Sequence, residues 1–156
     1  MIELLASLTV LNVGILAIVA AFNSGAITLR RASQISTAAA LADQQMERFR
    51  AIKYTAISLD TTSVAAADSA YTSDTAYNAS QVTATCSPLV NECTPVRTIS
   101  AAASPDHRGY RVDTYIVFET PTSGRELKKV TVVVRDGSTM AALARVASTF
   151  DESTGR

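Results

Sequence analysis

The sequence predicts an α+β protein in which one long N-terminal α-helix packs on a small antiparallel β-sheet head of about three or four strands. Three observations lead to this prediction: an uncharged apolar run near the N-terminus, a helical pattern of apolar residues directly after it, and alternating apolar residues in the last third of the chain. A length of 156 residues suits a single domain. We expect a membrane-embedded helix at 1–29, its amphipathic continuation at 30–57 and a globular head containing the sheet at 58–156.

The first element is an apolar run that is long enough to cross a lipid bilayer. No charged side chain occurs from Leu4 to Leu29, and at about 1.5 Å per residue such a helix spans a hydrocarbon core of about 30 Å. A removable signal peptide is the alternative. Against it, the run exceeds the usual stretch of about 7–15 apolar residues, no basic region precedes it, and an acid, Glu3, stands at its head. The pattern favours a membrane-embedded helix.

A few residues make this helix locally weaker than the rest of it. Asn12 and Gly14 lie in its first half, and Asn23 and Gly25 flank Ser24 near its end. Gly costs about 1 kcal/mol relative to Ala inside a helix because it has more backbone freedom to lose. We expect these positions to be the flexible points of the helix.

The apolar run continues into an amphipathic helix. Neither a proline nor a turn cluster separates the two segments, and from Arg30 to Ile57 apolar residues recur at every third or fourth position. These residues are Ile35, Ala38, Ala42, Met46, Phe49, Ile52 and Ala56. We expect this apolar stripe to cover one face of the sheet, because the chain offers no other long partner for it.

A stretch rich in Ser, Thr and Ala follows the helix, at 55–85. Its composition favours an irregular connection that covers the surface of the head. Asn78, Ala79 and Ser80 match the N-glycosylation pattern, a tripeptide that also arises often by chance.

Cys86 and Cys93 enclose a short polar loop that contains Pro88. We interpret them as a disulfide, because their spacing is too wide for a C-x-x-C pair and the chain has no second cysteine pair. A pair of unlinked thiols is the alternative. A disulfide implies an oxidising compartment and therefore a head outside the cytoplasm. The pair Arg30–Arg31 after the apolar run favours the opposite orientation by the positive-inside rule.

The last third of the chain alternates as β-strands do. Tyr110–Glu119 and the run around Val130–Val134 each place apolar residues at every second position. The residues on the predicted apolar face are Tyr110, Val112, Ile116, Phe118, Val130, Val132 and Val134. Thr120–Gly124 supplies turn residues between the two runs, so we expect them to pair as a hairpin.

Two further strands complete the predicted sheet. Asp136 and Gly137 mark a second tight turn, after which Ala142–Phe150 is a weaker candidate strand. Val96–Ser100 is a candidate edge strand.

The sequence contains no pattern of a catalytic, metal or nucleotide site. Fourteen basic residues balance fourteen acidic ones, so the net charge does not favour nucleic acid as a direct partner. The single histidine, His107, lies in a stretch typical of a solvated turn, and no G-x-S-x-G, phosphate-loop or H-E-x-x-H motif occurs. We predict no enzyme activity, no cofactor and no metal. Three acids in the polar stretch, Asp60, Asp68 and Asp74, were considered as calcium ligands. Calcium is only a weak candidate, because they lack the alternating spacing and the terminal Glu of an EF-hand loop. The arginines expected on a solvated face are Arg97, Arg108 and Arg111.

The N-terminal third of the chain resembles a known family. It begins Met-Ile-Glu-Leu-Leu, continues with the uncharged run and reaches Ala-Leu-Ala-Asp-Gln-Gln-Met-Glu-Arg-Phe-Arg-Ala at 40–51. An acid just inside an otherwise apolar N-terminus has no use in an ordinary anchor, whereas a glutamate there is the signature of type IV pilins and pseudopilins. The segment 40–51 is most similar to minor pilins of the pilus-modification type and to their type II secretion relatives.

The resemblance implies a structural role in a filament. Subunits of this family wait in the inner membrane as single-pass precursors, and their helices then bundle into the core of an extracellular filament with the heads outside. The implied partners are other copies of the chain, the inner-membrane assembly machinery with its prepilin peptidase, and the lipid bilayer before assembly. A minor pilin or type II secretion pseudopilin that primes or modifies assembly is the alternative. A membrane-anchored enzyme or receptor head is disfavoured by the lack of a recognisable site.

The resemblance also implies a role for Glu3. In the family, the corresponding carboxylate pairs with the N-terminal amine of a neighbouring subunit, which makes Glu3 an assembly residue. A carboxylate at the membrane end costs a few kcal/mol unless it is paired. From the residues alone, an acid lying in the headgroup layer without a partner is the alternative.

Overall fold

The computed structural model describes residues 2–122 and 124–152, and these form an α+β fold. Helix α1 covers Ile2–Ala51, and the main sheet contains β3 (Val96–Ile99), β4 (Tyr110–Glu119), β5 (Leu127–Asp136) and β6 (Ala142–Phe150). Between helix and sheet lie the short elements β1 (Leu59–Asp60), α2 (Thr61–Ala65), α3 (Ser69–Thr72) and β2 (Thr83–Ala84). The described chain divides into two compact units, one up to Gln34 and one from Ile35 onward. The predicted long helix and antiparallel sheet are confirmed.

Helix α1 ends earlier than the sequence pattern predicts. It stops at Ala51 rather than at Ile57, Lys53 adopts an extended conformation, and Tyr54–Ala56 forms one turn of 3₁₀ helix. The extended conformation of Lys53 breaks the helical path. The segment that follows is held by Lys128 on β5, whose ammonium group donates to the carbonyls of Tyr54 and Ile57 at 2.9 and 2.8 Å. The Tyr54 carbonyl also accepts from the Ile57 N–H at 3.2 Å, which closes the 3₁₀ turn.

The four strands of the main sheet are antiparallel and lie in the order β3-β4-β5-β6. In the central pair, Val112 faces Val134 and Ile116 faces Val130, which confirms the predicted hairpin. The predicted edge strand at Val96 and the weaker strand at Ala142–Phe150 are confirmed as β3 and β6. β6 forms the other edge of the sheet.

The main core lies between the second half of α1 and one face of the sheet. The buried residues are Ala38, Ala42, Met46, Phe49, Ile57, Leu59, Val82, Tyr110, Val112, Ile116, Val130, Val132 and Val134. Burial of the Val, Leu, Ile, Phe and Met side chains among them contributes about 1.5–3 kcal/mol each, so this face is the main source of stability of the head. Phe118 departs from the prediction, because burial fades at the end of β4 and its side chain is 47% exposed.

The Ser- and Thr-rich segment is more ordered than its composition predicts. Asp60 caps α2 by accepting from the Ser63 N–H at 2.8 Å, and Asp68 caps α3 by accepting from the Tyr71 N–H at 3.0 Å. Tyr71 is fully buried, and its ring stacks on that of Tyr115 with 4.4 Å between centroids. The predicted irregular connection therefore packs on the second face of the sheet.

The two turns of the sheet are formed as predicted in the described residues. The Gly124 N–H donates to the Pro121 carbonyl at 3.2 Å, while Ser123 of the first turn lies outside the described residues. In the second turn, a Cβ atom on Gly137 would lie only 2.9 Å from the backbone of Gly109. This close approach of two backbone segments requires glycine at 137.

Candidate functional site

Residues 2–33 present an unusual surface, because every one of them is exposed. Leu4 is 75% exposed and Phe22 is 76% exposed, as are other large apolar side chains along this part of α1. The helix is long and apolar enough to cross a membrane. Contiguous exposed apolar surface of this size marks contact with lipid or with other protein chains.

The hydroxyl groups within this apolar segment are satisfied by the helix itself. Ser7 donates to the Glu3 carbonyl at 2.8 Å, Thr9 to the Ala6 carbonyl at 2.8 Å, and Thr28 to a carbonyl one turn before it at 2.9 Å. Such bonds within the helix remove the cost of placing a hydroxyl in an apolar medium. These residues therefore suit a lipid or helix-bundle environment.

Glu3 lies in the first turn of α1 and its side chain is exposed. A negative charge at this end of a helix interacts favourably with the helix dipole. Residues 2–10 are all exposed, so the carboxylate of Glu3 is accessible to a cationic group presented by another molecule.

The predicted flexible points all lie inside an uninterrupted helix in this structure. Asn12, Gly14, Asn23 and Gly25 are helical and exposed. A Cβ atom on Gly14 or Gly25 would meet nothing within 4 Å. These glycines therefore leave shallow notches on the helix surface, and opening of the helix at these points stays a prediction.

Cys86 and Cys93 form a disulfide, with their Cα atoms 6.6 Å apart. Asp60 holds both ends of the loop through hydrogen bonds. Its N–H donates to the Cys93 carbonyl at 2.7 Å, and its carboxylate accepts from the Cys86 N–H at 3.2 Å. Gln45 on α1 donates to the Asn91 carbonyl of the loop at 3.0 Å. The disulfide is thus joined to both the helix and the start of the head.

The second face of the sheet carries a chain of alternating charges that the sequence did not reveal. Arg111 is buried rather than solvated, and it donates to Asp113 at 2.7 Å and to Asp68. Arg135 also contacts Asp113, at 2.8 Å. The members of this ion chain, in order of contact, are Asp68, Arg111, Asp113, Arg135, Asp74 and Arg145. The acids considered for calcium bind arginines or cap helices instead.

The ion chain changes the pKa values of its outer acids. Hydrogen bonding from Arg111 lowers the pKa of Asp68 to about 2. Burial acts to raise the pKa of Asp74, but hydrogen bonds from Ala76 and Arg145 outweigh it and the pKa is lowered. Both acids are therefore ionised at neutral pH and hold the Ser- and Thr-rich segment against the sheet.

An open surface cavity lies beside the end of α1. It has a volume of about 500 Å³ and its lining includes Tyr54, Phe118, Glu126 and Lys128. The Lys128 ammonium lies 4.6 Å from the centroid of the Tyr54 ring, and burial lowers the pKa of Lys128. Because this ammonium already binds two backbone carbonyls, its role is structural: it holds the segment after the helix against β5.

The remaining candidate groups lie on the surface. His107 is exposed in a turn with φ of 56°, as predicted for a solvated loop residue, and Asn78 is exposed as well. Within residues 2–122 and 124–152, no group of three or more His, Cys, Asp or Glu side chains is placed to hold a metal ion.

The candidate functional features are thus the exposed apolar helix with Glu3 and the head with its disulfide and ion chain. Comparison of the chain with protein-family models, with curated protein sequences and with solved structures found no match.

Proposed function

We propose that the chain is a structural subunit, a pilin, of a type IV pilus-like extracellular filament. The observation that carries this proposal is an uncharged, fully exposed apolar helix with Glu3 in its first turn, continuous with a helix that packs on an antiparallel sheet. An ordinary membrane anchor needs the apolar surface but has no use for the acid.

The apolar surface has a suitable environment in both states of such a subunit. Before assembly, lipid covers the residues from Leu4 to Leu29, because the segment carries no charge. After assembly, the same residues pack against the helices of other copies. Since lipid is as apolar as these side chains, the free energy of transfer from lipid to the helix bundle depends on close packing and polar contacts. Glu3 supplies the polar contact through the N-terminal amine of a neighbouring copy.

The disulfide supports a head that lies outside the cytoplasm. Cys86 and Cys93 are bonded, and disulfides persist in oxidising compartments. We therefore place the chain in the inner membrane as a single-pass precursor and then on the cell surface in a filament.

A minor pilin or type II secretion pseudopilin is the second candidate. Its support is the segment 40–51, whose sequence is most similar to that class. In the fold, Ala42, Met46 and Phe49 of this segment are core residues, so packing alone accounts for them. The exposed residues of the segment, Asp43 and Gln44 among them, are the part that packing does not explain.

The test is to shear fibres from cells that produce the chain, image them and identify their main polypeptide by mass spectrometry. A fibre made chiefly of this chain supports the structural subunit. Recovery of the chain in trace amounts beside another main polypeptide supports the minor subunit. A chain that stays in the membrane fraction under all conditions contradicts both.

A further inference from the structure

The outer side of β6 is a sheet edge that lacks the usual protection. Among the described residues, β6 pairs with β5 alone, and no backbone group outside the sheet bonds to Ala142–Phe150. Natural proteins protect an edge by keeping it short or charged. The opposite edge strand, β3, has only four residues and carries Arg97. β6 has nine residues, and its one charged side chain, Arg145, is neutralised by Asp74.

The regular part of this edge is the stretch Ala144–Phe150. Its pairing with β5 continues without interruption along the strand, whereas the register shifts just before Ala144. Such an irregularity bends a strand and disrupts its ladder of hydrogen bonds. In the regular part, every second residue directs its N–H and C=O groups away from β5. This stretch is therefore available for pairing with a further strand.

The apolar side chains along β6 are incompletely buried. Ala144, Val146 and Phe150 pack against the main core but are only half-buried. They lie on the α1 side of the sheet, because Val146 is opposite the core residue Val132. The apolar surface of the main core thus continues to the sheet edge, where an added strand would cover it.

The side chains of β6 favour a second copy of the same strand as the partner. Because Arg145 is neutralised within the head, the edge has little charge with which to select an acidic or a basic peptide. When Ala144–Phe150 pairs antiparallel with itself, Ala147 faces Ala147 of the second copy and Arg145 faces Thr149. Like charges are therefore never opposite each other. Ala147 is exposed and small, so two edges can approach closely there.

We propose that Ala144–Phe150 pairs with the same stretch of a second copy, as antiparallel strands related by a two-fold axis at Ala147. The pairing joins two four-stranded sheets into one continuous sheet. Main-chain hydrogen bonds provide the affinity, and the facing side chains set the register. A contact of this symmetry closes after two copies, so it does not build a filament and is independent of the proposed function.

Cysteine cross-linking of the full chain in a non-ionic detergent tests the pairing. One strand from each copy makes a small, weak interface, which covalent capture can detect. Ala147→Cys places two thiols on facing residues whose Cβ atoms are about 4.5–5.5 Å apart, a spacing close to that of a disulfide.

Thr149→Cys is the matched control for this variant. Thr149 is exposed on the same face of β6 as Ala147, but in the proposed pair its two copies lie about 13–14 Å apart. A disulfide cannot span that distance without backbone movement. Under mild oxidation, Ala147→Cys should therefore give roughly tenfold more disulfide-linked dimer than Thr149→Cys.

A mixture of two further variants checks the register. Val146→Cys and Ser148→Cys chains should link to each other rather than to copies of themselves, because these positions face one another in the pair. Mass spectrometry identifies the mixed dimer. No dimer from Ala147→Cys, equal yields from Ala147→Cys and Thr149→Cys, or Val146→Cys linked chiefly to itself would overturn the proposal. On intact cells, Ala147→Cys linked chiefly to a different polypeptide would overturn it as well.

Discussion

Arg111 and Arg135 lie directly opposite each other on β4 and β5, a position in which like charges repel. Asp113 lies between them and accepts from both at 2.7 and 2.8 Å. The alternation of the strands predicted which face these residues occupy but not what covers that face. Asp68 and Asp74 come from a segment without periodicity, so the ion chain could not be predicted from the sequence.

Asp68→Asn should make the head less sensitive to acid. The pKa of Asp68 is about 2, below the usual value for aspartate of about 3.9. Its ionised form therefore stabilises the fold fully at pH values above about 4. This contribution is lost as the pH falls from about 4 to about 2. Asparagine keeps the helix cap but removes the charge. Because the carboxyl is half exposed and screened, we expect the acid-dependent loss in the free energy of unfolding to shrink by roughly 1 kcal/mol or less.

The measurement is denaturant unfolding of the full chain in neutral detergent across this pH range. Asp43→Asn is the matched control, because Asp43 is exposed on α1. Superimposable pH profiles for the wild type and Asp68→Asn would contradict the role of Asp68.

Glu3→Gln should leave membrane insertion intact and impair filament assembly. The amide keeps the size of the side chain but removes the charge that, in the proposed filament, binds an amine of a neighbouring copy. Insertion is expected to persist because the run from Leu4 to Leu29 is unchanged. The measurement compares the amount of chain in the membrane fraction with the yield of sheared fibres, for Glu3→Gln, Glu3→Ala and the control Glu126→Gln, which changes an exposed glutamate of the head. A normal fibre yield from both Glu3 variants would show that Glu3 has no role in assembly.

At the scale of elements, β4 shows why one face of the sheet was easier to predict than the other. Val112 and Ile116 alternate along the strand and pack on the apolar stripe of α1. The strand period and the helix period therefore both predicted the same core. Tyr115 on the opposite face packs on Tyr71, a lone aromatic residue in a polar segment. Periodicity identifies repeated contacts, whereas a contact made by one residue leaves no pattern.

Reduction of the disulfide should loosen the loop and spare the hairpin. Closing a short loop restricts the unfolded chain by roughly 2–3 kcal/mol on the entropy model. Without it, the region from Ser80 to Thr98 depends on few buried apolar side chains, so its amides should exchange faster. The strands within Tyr110–Arg135 have their own core and should stay protected.

Hydrogen exchange on intact fibres with and without reductant is the measurement. The hairpin serves as the internal control. Equal protection of the loop in both states would show that the disulfide does not brace the head.

At the scale of the whole molecule, one helix belongs to two units with opposite surroundings. The described residues of α1 up to Ser33 are exposed, and from Ala38 onward the helix contributes to the core of the head. The exposed apolar part of α1 was predictable because a long uncharged run is a strong signal of a helix. The end of α1 was not, because a distant residue, Lys128, holds the non-helical segment that follows it.

In an assembled filament, α1 should be interrupted by an extended stretch between Asn12 and Gly25. The glycines weaken the helix locally, and neighbouring helices can satisfy the freed backbone groups. The measurement is the structure of the fibre at a resolution that traces the backbone, with the chain in detergent as the continuous reference. An unbroken helix from Leu4 to Ala51 in the fibre would contradict this expectation.

The edge position of β6 has a consequence for handling the protein. A sheet edge exposes backbone donors and acceptors that recruit other strands, and natural proteins guard such edges with charge or proline. In β6, Arg145 is the single charged residue, and its charge is neutralised by Asp74. Heads concentrated in solution therefore have a template for stacking into cross-β aggregates. A lysine at the exposed position Ala147 would act as a gatekeeper and keep such preparations dispersed.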